Sequence, residues 1–338
     1  MHLVTNITSK ILFRNCLRQI SQHFQGCLRN NHLAANDCLG TTNVKELCIP
    51  TPYGKIAAKA WGAETGKPVL AFHGWLDNCG TFDKLFPLLS KKLYIVAVDA
   101  PGCGLSSHKP LGCLYSDIDT ILEYKRVVEF LGWEKFSILG HSLGGAMGLF
   151  FTSMHSEIVE KVVALDIAKV LSVPLGVFPG IIAKSINDYI KQEKKLSNLP
   201  PVYTPESAIE RLLDGMHGEI TREGAEILLK RGSRPSDCGK GVIFTRDLRC
   251  RPVEYLNVKN HELMFQYIKA IRSEMLLIMA TNPHPNYISN SPEMREMAYE
   301  IYRKNSKRFV LEHVEGNHFV HLNNPERVAP LVNKFLAD

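Results

Sequence analysis

From about Val44 to the end of the chain, short apolar runs alternate with amphipathic segments. Several of the runs are unbroken stretches of β-branched and aliphatic residues, a pattern typical of strands buried on both faces of a sheet. The segments with this character are predicted to be strands: Glu46–Ile49, Ile56–Trp61, Val69–Phe72, Tyr94–Val98, Phe136–Leu139, Val162–Leu165, Met275–Met279 and Phe309–His313. Pro52-Tyr53-Gly54 lies between the first two strands and predicts an antiparallel hairpin at the edge of the sheet.

Segments with helical periodicity lie between these strands. They are Phe82–Leu89, Ile118–Leu131, Gly145–Met154, Met294–Tyr302 and Arg327–Leu336. Regular alternation of strands and helices indicates an α/β fold, here a mostly parallel eight-stranded sheet with helices on both faces.

The alternation stops between residues 169 and 260. This stretch contains helical segments joined by Pro- and Gly-rich connections, and the strand pattern resumes at Met275. We therefore predict a core formed by residues 44–168 and 261–338, with residues 169–260 inserted as a helical cap. Such a cap would lie over the carboxyl ends of the strands, where open α/β sheets bind their ligands. An independent domain is the alternative.

Composition narrows the class of protein further. The net charge is +6, but no block of Lys and Arg lies beside aromatic residues, so we expect no nucleic-acid partner. Nine cysteines without a Cys-x-x-Cys pair argue against a disulfide framework or a zinc site, and favour an intracellular location with reduced thiols. No apolar stretch reaches the length of a transmembrane helix. The pattern does not determine the oligomeric state.

Residues 1–43 form an N-terminal extension of different character. There is no Asp or Glu before Asp37, whereas Lys10, Arg14 and Arg18 are four residues apart and share one helical face. A basic, acid-poor, amphipathic segment is typical of a mitochondrial presequence. An ordinary N-terminal tail on a cytoplasmic protein is the alternative.

The motif with the clearest chemistry is Gly140-His-Ser142-Leu-Gly144, which follows a predicted strand and precedes a predicted helix. A serine on such a sharp turn projects its hydroxyl above the sheet, and the crowded turn requires glycine on either side. The first N–H groups of the helix can then stabilise negative charge on a carbonyl oxygen. Ser142 is therefore the candidate nucleophile, and Leu143 a candidate donor to the oxyanion.

Two further turns follow predicted strands. The loop His73-Gly74-Trp75 can supply the second oxyanion donor from the Trp75 N–H, and the His73 side chain is expected to be buried and bonded to backbone. The Gly-rich turn that begins at Asp99 lacks the Lys-Ser/Thr of a phosphate-binding loop. Asp99 is therefore expected to hold backbone amides.

A nucleophilic serine needs a base that accepts its proton near neutral pH, and imidazole is suited to this. Where a serine nucleophile lies on such a strand–helix turn, the catalytic residues follow one another along the chain in the order Ser, acid, His. His318 follows the last predicted strand and is the candidate base, with His321 as its rival. The acid is less clear, because Met275–Met279 is followed by no carboxylate before Glu293. We favour Asp166, at the end of the preceding strand; the alternatives are Asp247, Glu293 and a dyad with Asn282.

Taken together, these features resemble the α/β-hydrolase superfamily and, within it, the serine hydrolase-like (kraken-type) proteins of animals. The resemblance runs from about Val44 to Leu336. It is carried by FHGWLDN at 72–78, DAPGCG at 99–104, LGHSLGG at 139–145, TRDLR at 245–249 and GNHFVH at 316–321. It implies catalysis by Ser142 and His318, hydrolysis of esters and no cofactor or metal. The loop Ala280–Tyr287 departs from the superfamily because it lacks the usual Asp.

The prediction is a serine hydrolase that cleaves a small-molecule ester through an acyl-enzyme on Ser142. Apolar cap residues, including Phe178, Ile181, Ile182 and Ile186, suit an apolar acyl group, although core packing explains them equally well. A ligand-binding or scaffolding protein on the same fold, with weak or lost catalysis, is the alternative function.

Overall fold

The computed structural model describes residues 44–252, 257–283, 285 and 291–337. The expectation for residues 1–43 lies outside these residues.

Within the described residues, an 8-stranded sheet forms the centre of the fold. Its strands are β1 (Val44–Thr51), β2 (Gly54–Trp61), β3 (Lys67–Phe72), β4 (Leu93–Val98), β5 (Phe136–His141), β6 (Val159–Leu165), β11 (Glu274–Ala280) and β12 (Arg308–Val314). They are arranged in the order β1-β2-β4-β3-β5-β6-β11-β12. The hairpin β1–β2 is antiparallel and lies at the edge, as predicted, and β2 also pairs antiparallel with β4. The pairings from β4 through β12 are parallel.

The central strands are apolar because helices cover both faces of the sheet. All six residues of β4 and of β5 are buried, which explains why these segments are continuous rather than alternating apolar runs. One apolar cluster lies on each side of the sheet: Leu70 and Phe72 belong to one, Val69 and Ala71 to the other. The predicted α/β fold class is confirmed.

Four of the five helical segments predicted between the strands are helices. The helices of the described residues are α1 (Asp117–Leu131), α2 (Leu143–Met154), α3 (Phe178–Lys195), α4 (Pro205–Gly215), α5 (Arg222–Gly232), α6 (His261–Lys269), α7 (Pro292–Asn305), α8 (Val320–Asn323) and α9 (Pro325–Leu336). The prediction of one helix over Phe82–Leu89 is wrong. Two short 3-10 turns, Cys79–Phe82 and Phe86–Leu88, occupy that region, the second with Pro87 in its first turn.

Residues 169–260 connect β6 to the remainder of the sheet and contain α3, α4 and α5. The short strands β7 (Ser172–Val173) and β10 (Lys259–Asn260) pair with each other, so the two ends of this segment lie side by side. A hairpin of β8 (Ser233–Pro235) and β9 (Val242–Phe244) completes it. Its apolar cluster includes Phe319 and Leu322, which follow β12. The segment therefore packs directly on the loop that contains His318.

Among the helices of the described residues, none has the length and apolar character needed to cross a bilayer.

Candidate active site

Ser142 occupies a sharp turn between β5 and α2. Its backbone has φ 50° and ψ −122°, and its side chain makes no capping hydrogen bond to the helix that it precedes. The turn requires its glycines: a Cβ on Gly140 would lie 2.5 Å from the Gly144 carbonyl carbon, and one on Gly144 would lie 2.2 Å from the Phe72 carbonyl oxygen. The close approach of backbone to backbone explains why both neighbours are glycine.

Backbone strain is concentrated around the cavity that Ser142 lines. Among the described residues, the non-glycine residues with positive φ are Leu76, Ser142, Asp166 and His217. Such a conformation costs on the order of 1–3 kcal/mol per residue and is found where the surrounding structure enforces it. Leu76, Ser142 and His217 line one cavity, and Asp166 contacts a histidine that lines it.

The two candidate oxyanion donors belong to segments that adjoin Ser142. Leu143 is the first residue of α2, where the N–H groups have no partner within the helix. A Cβ on Gly74 would lie 3.5 Å from the Ser142 Cβ, so the loop that contains Trp75 passes directly beside the serine. Both Trp75 and Leu143 line the same cavity as Ser142.

Asp166 and His318 form a buried pair beyond the carboxyl ends of β6 and β12, the two strands that flank β11. The His318 Nδ1–H donates to Asp166 Oδ2 over 2.6 Å, and the Ala280 N–H donates to Asp166 Oδ1 over 2.8 Å. The two side chains are 2% and 4% exposed. In the neutral imidazole, a proton held at Nδ1 leaves Nε2 as an acceptor. His318 lines the cavity, as Ser142 does.

The other proposed acids lie elsewhere. Asp247 accepts hydrogen bonds from Arg249 over 2.7 Å and from the Tyr115 hydroxyl over 2.8 Å. Although burial opposes the charge, the bonds from Arg249 keep the pKa of Asp247 below its usual value. Glu293 and Asn282 are exposed. None of these three is the partner of the His318 ring.

His321, the rival base, is fully buried. Its Nε2 is 2.9 Å from the Thr81 hydroxyl, and its ring lies 4.0 Å from the His141 ring, centroid to centroid. Burial lowers the pKa of His321 to about 3, far from the range of a base at neutral pH. His73 is bonded to backbone as expected: one ring nitrogen contacts the Gly74 carbonyl at 2.7 Å, and the other accepts from the Ala100 N–H at 2.9 Å.

The turn at Asp99 is structural. Its carboxylate accepts from the Cys79 and Leu105 N–H groups, each over 2.8 Å, as predicted. It also pairs with Arg231 over 2.7 Å, a partner from α5 that the local sequence gives no reason to expect.

Two residues that hold the His318 loop were not predicted. Glu219, from the 169–260 segment, accepts from the His318 N–H over 2.9 Å, and its carbonyl accepts from the Asn317 side chain over 2.6 Å. His141 contacts the His318 carbonyl through Nε2 over 2.9 Å. Burial keeps the pKa of His141 well below its usual value, so this ring is neutral and donates that bond. The position of His141 inside the serine motif is its only sequence signal.

The cavity beside Ser142 has a volume of about 810 Å³. Its walls combine apolar side chains from the core and from residues 169–260 with several charged groups. The apolar part includes Met147, Ile167, Val170, Leu212, Met216 and Phe319. The cap residues expected to contribute, Phe178, Ile181, Ile182 and Ile186, are not among the described residues that line the cavity.

A serine at a strand–helix turn that shares a cavity with a histidine held by an aspartate, on a mostly parallel eight-stranded sheet, is the architecture of an α/β hydrolase. A family model for the alpha/beta hydrolase fold matches residues 67–185. A serine hydrolase-like protein of Danio rerio is 36% identical over 294 residues, which are 86% of this chain and 88% of the relative. Serine hydrolase-like protein 2 of Homo sapiens is 34% identical over 304 residues, covering 87% and 94% respectively.

A solved structure has a similar fold. A hypothetical protein from Pseudomonas aeruginosa PAO1 is similar with a TM-score of 0.76 and 30% identity, over 87% of this chain and 99% of the other. The chain therefore belongs to the α/β-hydrolase superfamily and, within it, to the serine hydrolase-like proteins. The fold and these relatives support a hydrolase.

Proposed function

We propose that the protein is a serine esterase in which Ser142, His318 and Asp166 form the catalytic triad. The observation that carries this proposal is the 2.6 Å bond between the Asp166 carboxylate and His318 Nδ1, with His318 and Ser142 lining one cavity. A buried carboxylate fixes the tautomer that a general base needs and stabilises the imidazolium once it forms. The triad then does not need a carboxylate in the loop after β11, because Asp166, directly after β6, provides the acid.

The proposed reaction has two steps. His318 Nε2 accepts the Ser142 hydroxyl proton as the oxygen attacks the ester carbonyl, and the alcohol leaves with that proton. Water then attacks the acyl-enzyme by the same route and releases the carboxylic acid. The backbone N–H groups of Trp75 and Leu143 would hold the oxyanion, and each such donor is worth on the order of a hundred- to a thousandfold in rate.

Residues 169–260 are proposed to act as a cap that shapes the substrate pocket. Leu212, Met216 and Phe244 from this segment line the cavity together with Met147 and Ile167 of the core. These side chains suit an apolar part of a small acyl substrate, because burying it removes apolar surface from water.

The esterase proposal is tested by mixing the protein with para-nitrophenyl esters of increasing acyl length. It predicts a burst of nitrophenol equal to the enzyme concentration and a mass increase of one acyl group on the peptide that contains Ser142. A folded protein that binds these esters but never becomes acylated would favour the ligand-binding alternative.

For residues 1–36 we propose a mitochondrial presequence, on the grounds of the missing acidic residues and the basic face at Lys10, Arg14 and Arg18. A fluorescent protein fused behind this segment should enter mitochondria, and one with these three residues changed to Glu should not. Diffuse fluorescence of the first fusion would refute the proposal.

A further inference from the structure

The cavity beside Ser142 contains more positive charge than an apolar substrate requires. Among the described residues, three arginines line it: Arg211, Arg246 and Arg251. The carboxylates of this part of the chain that line it are Asp117 and Asp214, and Asp117 is bound by Lys259 over 2.8 Å. Within the described residues, which do not include Glu254, no carboxylate lies within 4.0 Å of the three guanidinium groups.

Arg246 is the least exposed of the three. It is half-buried, and its Nη1 donates to the Leu76 carbonyl over 2.8 Å. It is the one hydrogen bond that Arg246 makes to the described residues, and it uses one of the five guanidinium N–H donors, so the others can bind a planar oxyanion. Burial lowers the pKa of Arg246, and the nearby Arg251 cation lowers it further, whereas the Asp77 carboxylate opposes this shift.

The neighbours of Arg246 in the chain have other tasks. Asp247 and Arg249 are buried and paired over 2.7 Å, and Arg249 also donates to the Lys109 and Pro110 carbonyls. These contacts fix the segment in place and explain two of its charged residues. They do not explain why the third charged residue, Arg246, lines the cavity. Asp77 and Arg246 line a second, smaller pocket, and burial raises the pKa of the Asp77 carboxyl to about 7, so Asp77 offers only part of a counter-charge at neutral pH.

We infer that Arg246, assisted by Arg251, binds an anionic group of the substrate, either a carboxylate or a phosphate. This inference rests on the proposed function and names its substrate class: an ester with an apolar part and an anionic group. Because Arg246 is bonded to Leu76, the residue after the candidate oxyanion donor Trp75, the anionic group would lie within a few bonds of the scissile carbonyl. Guanidinium binds both kinds of oxyanion with paired hydrogen bonds.

Binding is measured by calorimetry on the full chain with Ser142→Ala, so that the result does not depend on catalysis. Glutarate and inorganic phosphate are the two probes, and they distinguish a carboxylate site from a phosphate site. At least one should bind, and adding Arg246→Gln should weaken it about tenfold or more. Arg246→Lys should retain part of the affinity, and Arg251→Gln should weaken it less. Arg234→Gln, an exposed arginine paired with Asp237, is the matched control and should change nothing.

The inference is overturned if neither anion binds, or if the Arg246→Gln protein binds as well as its parent. Melting temperatures of all variants identify a protein that has failed to fold, in which case Arg246→Lys and Arg251→Gln decide the matter. If Ser142 proves unreactive while the anions still bind and Arg246→Gln still weakens them, the esterase proposal fails and the anion site stands. A reactive Ser142 without any anion binding would leave the esterase proposal intact and refute the anion site.

Discussion

The carboxylate of Asp166 holds the imidazole of His318 at 2.6 Å although the two residues are 152 positions apart. The contact exists because β6 and β12 both pair with β11. Asp166 directly follows β6 and His318 follows β12, so the two residues meet across the end of β11. The Ala280 N–H at the end of β11 binds the other carboxylate oxygen and fixes its orientation. Three strand ends thus determine the geometry of one base.

Replacing Asp166 by Asn should lower kcat for any ester substrate by about a thousand- to ten-thousandfold, with little change in KM. The amide keeps the shape of the carboxylate but loses the charge that stabilises the imidazolium. Glu293→Gln, at an exposed carboxylate of α7, is the matched control and should be as active as the parent. Steady-state kinetics of both variants provide the test, and equal activities would exclude Asp166 as the acid.

Glu219 is predicted to position His318 through the 2.9 Å bond from the His318 N–H. Glu219→Ala removes that acceptor and should lower kcat about tenfold, because a small displacement of the base misaligns proton transfer. Glu219→Gln keeps an oxygen acceptor and should restore most of the rate. If both variants are equally slow, the charge rather than the hydrogen bond is responsible; if neither is slow, Glu219 does not position the base.

Gly144→Ala should destabilise the fold by about 3 kcal/mol or more, since the new Cβ would lie 2.2 Å from a backbone oxygen that cannot move independently. A Cβ added to Gly180, in α3, would have no neighbouring atom within 4 Å. Gly180→Ala is therefore the control and should be neutral or stabilising by up to about 1 kcal/mol. Urea unfolding of the two variants gives both values, and a mild effect of Gly144→Ala would contradict the packing described for the turn.

Buried neutral histidines should make stability depend on pH. Burial lowers the pKa of His73, His141 and His321, so the unfolded chain takes up protons that the folded chain refuses. Their contribution is complete above the unfolded pKa and is lost as pH falls below about 6.5, by up to about 1.4 kcal/mol per pH unit for each group. The raised pKa of Asp77 acts in the opposite direction, because its contribution to the free energy of unfolding falls as pH rises towards about 7.

His321→Gln isolates one of these contributions. The free energy of unfolding should fall less steeply for this variant than for the parent between about pH 7 and about pH 5. Urea titrations at the two pH values measure the difference. Parallel slopes for parent and variant would show that His321 is protonated in the folded state, contrary to its burial against Thr81.

Patterns of residues are enough to predict the sheet, because buried parallel strands require continuous apolar runs. They also predict the Ser142 turn, because its glycines are sterically required. They fail for residues 82–89, because apolar spacing alone does not distinguish an α-helix from two short 3-10 turns, the second of which contains Pro87. Asp166 can be proposed from its place at a strand end, but its contact with His318 depends on strand order. Glu219 and Arg246 lie in the inserted segment, whose folding over the site no local pattern reveals.

The most direct test of the proposed triad is labelling of the full-length protein with a fluorophosphonate probe, beside Ser142→Ala and His318→Ala. The triad predicts rapid labelling of the parent at Ser142, none in Ser142→Ala, and a loss of several orders of magnitude in labelling rate in His318→Ala. A folded parent protein that is not labelled, or a His318→Ala protein labelled as fast as the parent, would contradict it.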